Sequence, residues 1–412
     1  MNASADVVVV GGGIAGSALA TVLARDGLEV HVLERQKVYR DKVRGETLQP
    51  WGVAELCRLG LDDTLLGAGG GYCRRVVPYD ETTAPDAAEA NAFALDELLP
   101  GIKGSLNVGH PEACEALASV AVASGARLER GIGEVRVDGG SMPAVAFELD
   151  GVEQRISCRL VIGADGRCSS IRRQIGCRLN ATEPRTVAAG LLVEDLEGWT
   201  GEVEAFGTEG NVMYTVFPRP GGRARLYLLW SVTDRGRFTG VNRVSEFLDA
   251  FRLDCLPSGE AVASARPAGP CASYPMNDTW VDRPFADGVV LIGDAAGWSD
   301  PIIGQGLAIA LRDTRIVAEI LQSSADWSPR AFASYVEERA ERMRRLRICS
   351  EIITDLHCTF TADGMARRKC WQAFAPHDEL MIAPLHAAFA GPEKPPAEAF
   401  TARNHERILG LS

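Results

Sequence analysis

Three glycines at a junction between a strand and a helix constrain this chain more than any other feature. Gly11, Gly13 and Gly16 form the pattern GxGxxG directly after Val7 to Val10, a run typical of a strand buried on both faces. Apolar residues then recur with helical spacing, and a second strand is predicted from Glu29 to Glu34. Strand, tight turn, helix and strand in this order predict the right-handed unit of a parallel sheet.

This turn has the features of a dinucleotide-binding fingerprint. Gly11 permits the tight turn, Gly13 lets the backbone approach a pyrophosphate, and Gly16 lets the helix lie close on the strand. The helix N-terminus then offers its partial positive charge to the phosphates. Glu34 ends the next strand at about the spacing at which a carboxylate reaches an adenosine ribose. A glycine turn that merely connects two elements would not require this acid.

Two further segments combine an apolar strand with glycine and an acid. The first is Leu160 to Gly166, and the second is Val289 to Asp294, followed by a glycine-containing loop and a helix from about Leu307 to Leu321. We expect these strands in the same sheet as the N-terminal unit. Between them, residues 185–275 alternate apolar and polar positions around the turn at 220–222, which predicts a mostly antiparallel second domain.

The predicted fold class is therefore α/β. We expect a discontinuous Rossmann-type domain for FAD or NAD(P), an inserted, mostly antiparallel β-sheet domain for the substrate, and a C-terminal helical segment. The predicted pieces are 1–75, 104–184 and 276–325 for the first domain, 76–103 and 185–275 for the second, and 326–412 for the helical segment. Within the second domain, Asp80 to Ala92 is expected to be an exposed loop without structure of its own.

Composition excludes several classes of protein. With 46% hydrophobic and 24% charged residues, the chain is globular rather than disordered or fibrous. The net charge of -12 provides no global basic field, and the arginines at 342–347 are interleaved with glutamate on a helix that we expect to be solvated, so no nucleic-acid partner is predicted. Eleven cysteines without a CxxC pair favour a reducing, cytoplasmic setting. His357 beside Cys358 lacks a partner at the spacing of a zinc site, so no metal is assigned. No apolar stretch approaches the ~20 residues of a membrane span.

The three motifs together resemble one family. The fingerprint, RLVIGADGRCSSIRR at 159–173 and VVLIGDAAGWSDPIIGQGLAIALRD at 289–313 look like the GxGxxG, DG and GD motifs of the para-hydroxybenzoate hydroxylase-like class A flavoprotein monooxygenases. The resemblance covers about residues 1–325 in motif order, spacing and intervening domain. It implies non-covalent FAD, NADH or NADPH as electron donor, and O2 that adds at flavin C4a to give the oxygenating hydroperoxide.

The resemblance also implies contacts with FAD. Asp294 would accept hydrogen bonds from the ribityl hydroxyls, and Gly304 and Gly306 would lead into a helix at Leu307 whose first amides face the flavin pyrimidine. Asp165 would hold the backbone beside the pyrophosphate, with capping of nearby amides as the alternative. The implied set also contains Ile14, Ala15, Arg35 near the adenosine, Arg44 over the pyrophosphate, His110 and Val135.

Two positions depart from the family pattern. The family usually has His after GDAA, whereas this chain has Gly297 and Trp298, and GDAAG is closer to the related flavin halogenases and isoprenoid reductases. His110 stands where aromatic hydroxylases often have Arg or Gln near the flavin. It either contacts FAD through a ring nitrogen or serves as a cap ahead of Pro111 in the first turn of a helix.

The substrate is expected between the GD motif and the second domain. Pro301, Ile302 and Ile303 would line the site where oxygen adds, since an apolar wall shields reactive oxygen from water. From the sheet we expect Met213, Phe217 or Tyr214 and Trp230 to face the substrate, depending on register, because a slip of one residue exchanges the two faces. Ordinary sheet packing is the alternative for these residues. No catalytic acid or base is assigned.

We therefore predict an FAD-dependent monooxygenase that oxygenates a small aromatic or natural-product intermediate, as a monomer or homodimer and without a membrane partner. Two alternatives stay open: a flavin reductase or halogenase of the GDAAG branch, and a flavin-binding protein that shelters an intermediate without oxidising it. The halogenase resemblance would imply a channel lysine and a WxWxIP segment. This chain has no two tryptophans two residues apart, and Lys103 is its one ambiguous lysine.

Overall fold

A six-stranded sheet carries the glycine fingerprint. In the computed structural model, which describes residues 3–234 and 236–410, this sheet is parallel except for one edge pair. The strands in spatial order are Phe285–Ala286, Val289–Leu291, Leu160–Gly163, Val7–Val10, Val30–Glu34 and Arg127–Arg130. The strands of the three motifs are therefore neighbours, as the sequence predicts.

Both faces of this parallel sheet are covered, which explains its uninterrupted valines. One face packs against the helices Ile14–Arg25, His110–Ala123 and Gly306–Ser323. The other face packs against a smaller sheet formed by the strands Ala3–Ser4, Val152–Ser157, Ala144–Leu149 and Val135–Asp138. Val7, Val8 and Val9 are consequently fully buried.

The second large sheet is mostly antiparallel and has two unlike faces. Its strands in spatial order are Arg266–Pro267, Thr186–Glu194, Arg223–Ser231, Val212–Arg219, Val203–Glu209, Arg75–Pro78 and Phe93–Ala94, and Ala272–Met276 also pairs with Thr186–Glu194. Even-numbered side chains of the strands 212–219 and 223–231 pack in a closed core with the helices Arg243–Asp249 and Gly259–Ser264. Odd-numbered side chains of the same strands face the Rossmann-type part.

Short elements connect these sheets. They are the strand pair Asn180–Ala181 and Thr279–Trp280, the three strands Thr47–Leu48, Ser105–Asn107 and Gly71–Cys73, and the helices Pro50–Arg58, Asp62–Gly67 and Ser170–Gln174. The expectation of an exposed loop without structure of its own at Asp80 to Ala92 is wrong in two respects: Asp80 is buried in an ion pair with Arg368, and the segment contains a helix. Pro85 begins a short helix, Pro85–Ala90, because proline is well suited to a first helical turn.

Helices form the C-terminal part of the chain, as predicted. They are Ala333–His357, Ala362–Phe374, Glu379–Ala390 and Ala402–Ile408, with 3-10 turns at Pro329–Phe332, Ala375–His377 and Ala397–Phe400. They share a core with the helices Pro50–Arg58 and Gly306–Ser323. Among the described helices, none is both long and apolar enough to cross a bilayer.

The expectation of a solvated arginine run on the helix Ala333–His357 is wrong for one member. Arg342 is buried, and its Nη2 lies 2.6 Å from Oδ1 of the buried Asp313. Arg344 and Arg345 do pair with Glu341 near the surface. The reason for the difference is that this helix packs over the GD motif, so one side of it is turned away from solvent.

Candidate cofactor and substrate site

A cavity of about 630 Å³ lies between the Rossmann-type part and the antiparallel sheet. Glu34 and Arg35 line one part of it, the DG and GD motifs line the middle, and Phe217 and Tyr227 belong to the wall contributed by the sheet. One continuous space therefore joins the dinucleotide fingerprint to the second domain.

The glycine turn has the shape that a pyrophosphate requires. Gly11 has φ +108°, and a Cβ there would lie 2.3 Å from the Ala164 carbonyl oxygen. At Gly16 a Cβ would lie 1.9 Å from the Gly11 carbonyl oxygen, so the helix contacts the strand through bare backbone. A Cβ at Gly13 would meet no described heavy atom within 4 Å, and Gly13 lines the cavity. The space beside Gly13 is therefore open for phosphate oxygens.

The helix Ile14–Arg25 presents its first amides to this space. Its N-cap is Gly13, which offers no side-chain cap, and its first turn contains no acidic residue. Ile14 and Ala15 line the cavity beside it. The positive end of the helix is thus free to receive an anion, which fits the pyrophosphate of FAD.

The carboxylate of Glu34 is held by backbone amides at the end of the cavity where the adenosine is predicted to lie. Its carboxylate accepts 2.7 Å hydrogen bonds from the amides of Gly12 and Gln36, and the residue is buried but lines the cavity. A carboxylate can accept further hydrogen bonds beyond these two. Glu34 therefore fits the predicted contact with ribose hydroxyls.

Asp165 caps nearby backbone amides, which was the alternative to a role beside the pyrophosphate. Its carboxylate accepts hydrogen bonds from the amides of Ser170 at 2.6 Å and Ile171 at 3.2 Å, and from the hydroxyl of Ser169 at 2.5 Å. These bonds fix the start of the helix Ser170–Gln174 while Asp165 itself lines the cavity. The DG acid thus holds the shape of the loop.

Asp294 forms an ion pair with Arg167, which was not among the predicted site residues. Arg167 Nε lies 3.3 Å from Asp294 Oδ2, and its guanidinium lies 5.1 Å from the ring centroid of Trp298. Arg44 lies beside this pair, 5.9 Å from the Tyr274 ring, and burial followed by the nearby Arg167 lowers the pKa of Arg44. Two guanidinium groups thus line the cavity where phosphate charge would need neutralising.

The GD loop, residues 293–305, is clamped from behind. The Gly293 amide donates to Asp313 Oδ2 at 2.8 Å, and Arg339 donates to the carbonyl groups of Gly293, Ala296 and Gly297 at 2.9 to 3.2 Å. Nothing in the motif spacing signals Arg339, which lies in the helix Ala333–His357. The clamp therefore fixes the backbone of a loop that lines the cavity.

The helix Gly306–Ser323 begins at the cavity as predicted. Gly304, Gly306 and Leu307 line the cavity, and the N-cap Gln305 supplies no side-chain cap to the first turn. The Gln305 side chain instead accepts a hydrogen bond from Trp51 Nε1 at 2.7 Å. The first amides of this helix are therefore available to a flavin pyrimidine.

His110 does not cap the helix that it begins. Gly109 is the N-cap, and the described hydrogen-bond partner of the His110 ring is the Cys114 sulfur at 3.7 Å. The ring lines the cavity, where burial and then Lys42 lower its pKa. His110 is therefore neutral near pH 7 and faces the space predicted for FAD, as does Val135.

The sheet contributes an aromatic wall. Phe217 and Tyr227 pack edge to face with centroids 6.1 Å apart, and Tyr274, Thr215 and Leu229 lie on the same side. Pro301 and Ile302 also line the cavity, whereas Ile303 is buried in the core below. The wall and the GD loop therefore enclose a largely apolar space.

The prediction that Tyr214 and Trp230 face the substrate is wrong. Side chains alternate along a strand, and both residues lie on the far face of the sheet in its closed core. The Tyr214 hydroxyl donates to the Tyr79 carbonyl at 2.8 Å, and Trp230 packs on Phe238 with centroids 5.1 Å apart. The alternation along the strands places Thr215, Phe217, Tyr227 and Leu229 together on one face, but it does not tell which face meets the cavity.

The cavity thus collects most of the predicted site residues. Gly16, Ile303, Tyr214 and Trp230 lie outside its lining, for the reasons given above. The residues that line it are Gly11, Gly13, Ile14, Ala15, Glu34, Arg35, Arg44, His110, Val135, Asp165, Phe217, Asp294, Pro301, Ile302, Gly304, Gly306 and Leu307. In the part of the chain that the structure describes, no group of three or more His, Cys, Asp or Glu side chains is arranged for a metal ion.

Comparisons with known proteins identify the family of this chain. The FAD binding domain family matches residues 4–347. Menaquinone reductase of Mycobacterium tuberculosis (strain ATCC 25618 / H37Rv) is 31% identical over 344 residues, which cover 78% of this chain and 77% of that protein. Squalene epoxidase 2 of Arabidopsis thaliana is 26% identical over 348 residues, which cover 82% of this chain.

The match spans only 57% of that squalene epoxidase, so this chain corresponds to little more than half of its length. Among solved structures, p-nitrophenol 4-monooxygenase PnpA from Pseudomonas putida DLL-E4 has a TM-score of 0.79 at 18% identity, covering 95% of this chain and 99% of that one. At this identity the likeness shows a shared fold.

Proposed function

This chain belongs to the FAD binding domain family of flavoproteins, and on that premise we propose that it is an FAD-dependent monooxygenase. In this proposal it uses NADH or NADPH and O2 to oxygenate a small aromatic or natural-product intermediate. One observation carries the proposal: a single cavity joins the dinucleotide fingerprint to an aromatic wall across the GD loop.

The proposed cofactor site assigns each part of FAD to residues with suitable chemistry. The amides beside Gly13 would hold the pyrophosphate, Glu34 the adenosine ribose, and Asp294 the ribityl chain. Arg44 and Arg167 would balance the phosphate charge. Bound FAD would supply electron transfer from the nicotinamide and activation of O2.

The chain's own contribution to oxygenation is exclusion of water and orientation. Pro301 and Ile302 face the aromatic wall, and neither side chain carries a group that could donate a proton. The substrate would lie between these residues and Phe217, with its reacting carbon held toward the first turn of the helix Gly306–Ser323.

The proposal includes a transient nicotinamide complex. The sequence contains one GxGxxG fingerprint, and FAD would occupy it. Reduced nicotinamide must then bind in the open part of the cavity rather than in a second Rossmann unit. We expect the organic substrate to accelerate flavin reduction, because it fills the aromatic end and shifts the ring toward the donor.

Stopped-flow spectroscopy tests this proposal. The purified flavoprotein is mixed anaerobically with NADH or NADPH, with and without members of a library of small aromatic and polyketide compounds, and flavin reduction is followed at 450 nm. At least one compound should accelerate reduction and, in air, gain one oxygen atom from 18O2. Oxygenation that occurs only with an added reductase would refute self-reduction.

A second candidate is reduction of an isoprenoid or quinone side chain. The similarity to menaquinone reductase over most of both chains and the GDAAG sequence favour it. The same experiment separates the two candidates when a menaquinone is added to the library, since a reductase adds two hydrogen atoms to it under anaerobic conditions and incorporates no 18O. A sheltering protein without oxidative activity would show neither product.

A further inference from the structure

The aromatic wall contains hydroxyl groups that the protein leaves unused. We define this wall as Thr215, Phe217, Tyr227, Leu229, Tyr274 and Met276, all of which line the cavity. Thr215 is 8% exposed, and its Oγ1 is buried without a hydrogen-bond partner. Because an unpaired buried hydroxyl is unfavourable, its presence on a cavity wall points to a ligand oxygen as its partner.

Two phenol groups accompany this hydroxyl. Tyr227 and Tyr274 make ring contacts with Phe217 and Arg44, and the structure describes no hydrogen-bond partner for either hydroxyl. Burial raises the pKa of Tyr274 to about 12 and that of Tyr227 further above its usual range. Both phenols therefore keep their protons at neutral pH and can donate to an oxygen atom.

The wall residues themselves carry no charge, and the two buried cations on the same face of the sheet, Arg219 and Arg225, are both paired with carboxylates. Arg225 is fully buried, with Nη2 at 2.7 Å from Asp41 and 2.6 Å from Glu46. Glu46 also lines the cavity and places a carboxylate on the same side as this arginine. Arg44 lies 5.9 Å from the ring centroid of Tyr274, at the edge of the wall, and with Arg167 it lies by Asp294, where the phosphates of the proposed cofactor would neutralise both arginines.

An anionic ring would therefore be poorly accommodated at this wall. Burying a carboxylate without a cation carries a large desolvation cost. Burying a neutral ring beside Phe217 and Leu229 is favourable, and its oxygen atoms would satisfy the hydroxyl groups already present.

Resting on the proposed function, we propose that the substrate is an uncharged aromatic or quinonoid ring with hydroxyl or carbonyl oxygens, one of them hydrogen-bonded to Thr215. The ring would lie against Phe217 and Tyr227. Carboxylated aromatics, although similar in size, would be excluded by charge.

Equilibrium binding tests the proposal without turnover. Isothermal titration calorimetry of the FAD-loaded protein at pH 7.5 compares three isosteric pairs: 4-hydroxybenzamide with 4-hydroxybenzoate, 1,4-dihydroxy-2-naphthamide with 1,4-dihydroxy-2-naphthoate, and anthraquinone-2-carboxamide with anthraquinone-2-carboxylate. We expect at least one amide to bind, and each binding pair to favour the amide at least tenfold. Tighter or equal binding of a carboxylate, or no binding in all three pairs, would overturn the proposal.

A variant tests the role of Thr215. Thr215→Val keeps the shape of the side chain and removes the hydroxyl, so the best amide should bind roughly three- to tenfold more weakly. Thr200→Val, at an exposed threonine outside the cavity, is the matched control and should bind as the wild type does. An unchanged affinity in Thr215→Val would remove Thr215 from the proposed contact. If the wild-type protein prefers the amides but oxygenates none of the compounds, only the proposed monooxygenase function is contradicted.

Discussion

Arg339 and Asp313 form a buried ion pair, with Nε and Oδ2 3.0 Å apart, behind the GD loop. Asp313 also accepts a hydrogen bond from the Gly293 amide. Arg339 also donates hydrogen bonds to the carbonyl groups of Gly293, Ala296 and Gly297. Two charged residues outside the cavity lining thus fix the backbone of its central loop.

Removing the guanidinium of Arg339 should therefore destabilise the protein and release FAD. Arg339→Gln leaves Asp313 with only Arg342 as a cationic partner, and breaking such a buried pair costs about 3–5 kcal/mol. Urea unfolding and the 450 nm absorbance of the purified protein measure the two effects. Arg339→Lys retains the charge and should lose less stability and less FAD than Arg339→Gln. Arg136→Gln, which removes an exposed ion pair with Glu153, serves as the control and should leave both measurements unchanged.

Valine at two fingerprint positions should give opposite phenotypes. Gly13→Val meets open space, so the protein should fold with wild-type stability but bind FAD at least tenfold more weakly. Gly16→Val forces a Cβ against the Gly11 carbonyl and should lower the free energy of unfolding by roughly 2–3 kcal/mol. Thermal unfolding and flavin titration of the apoprotein distinguish them. Wild-type FAD content in Gly13→Val would contradict the cofactor assignment.

The buried Asp300 should make stability depend on pH. Burial, and then Asp278, raise the pKa of Asp300 to about 7, whereas the unfolded chain ionises it near its ordinary value of 3.8. Between these two pH values the folded state holds a proton that the unfolded state releases, so stability falls as pH rises. Asp300→Asn should therefore be more stable than the wild type by roughly 2–4 kcal/mol at pH 8, with the difference shrinking toward pH 4. Denaturant midpoints of both proteins, measured from pH 4 to pH 8, test whether the stability difference grows with pH in this direction.

The two faces of the antiparallel sheet should separate binding from stability. Phe217→Ala enlarges the cavity, so the ring carboxamide that binds best should bind about tenfold more weakly. Tyr214→Phe removes the hydrogen bond to the Tyr79 carbonyl and should cost about 1–2 kcal/mol of stability with no change in ligand affinity. The reverse pattern, measured by calorimetry and urea unfolding, would show that the faces are assigned wrongly.

Halide should not be incorporated. Lys103 lies over the Tyr72 ring at 5.7 Å and is not part of the cavity lining, whereas Lys42 is the lysine that lines it. With FAD, reduced nicotinamide, O2 and excess bromide, mass spectrometry should detect oxygenated and no brominated product. Bromination that disappears in Lys42→Met but persists in Lys369→Met would favour the halogenase alternative.

The parts of the fold that were predictable are those with local signals. The valine run, the glycine turn and Glu34 follow one another within a single supersecondary unit, so their spacing is set by the chain itself. The clamp of Arg339 on the GD loop had no such signal. Its two partners come from different helices, and their contact depends on tertiary packing.

The substrate wall was predictable only in part, because the face of a strand depends on register. Thr215, Phe217, Tyr227 and Leu229 share one face, while Tyr214 and Trp230 belong to the other. An aromatic side chain suits either a cavity or a core, so residue type alone could not choose between them. The polar Thr215 in a run of apolar residues was the more informative position.

The clamp by Arg339 also has a consequence for synthesis on the ribosome. A nascent chain that has emerged as far as Ser323 already contains all three flavin motifs, but the guanidinium that holds the GD loop is still inside the exit tunnel. Cofactor capture in its final geometry must therefore wait until the helix Ala333–His357 is released. A chain that ends before Arg339 would therefore lack the contacts that hold the GD loop, although it contains all three motifs.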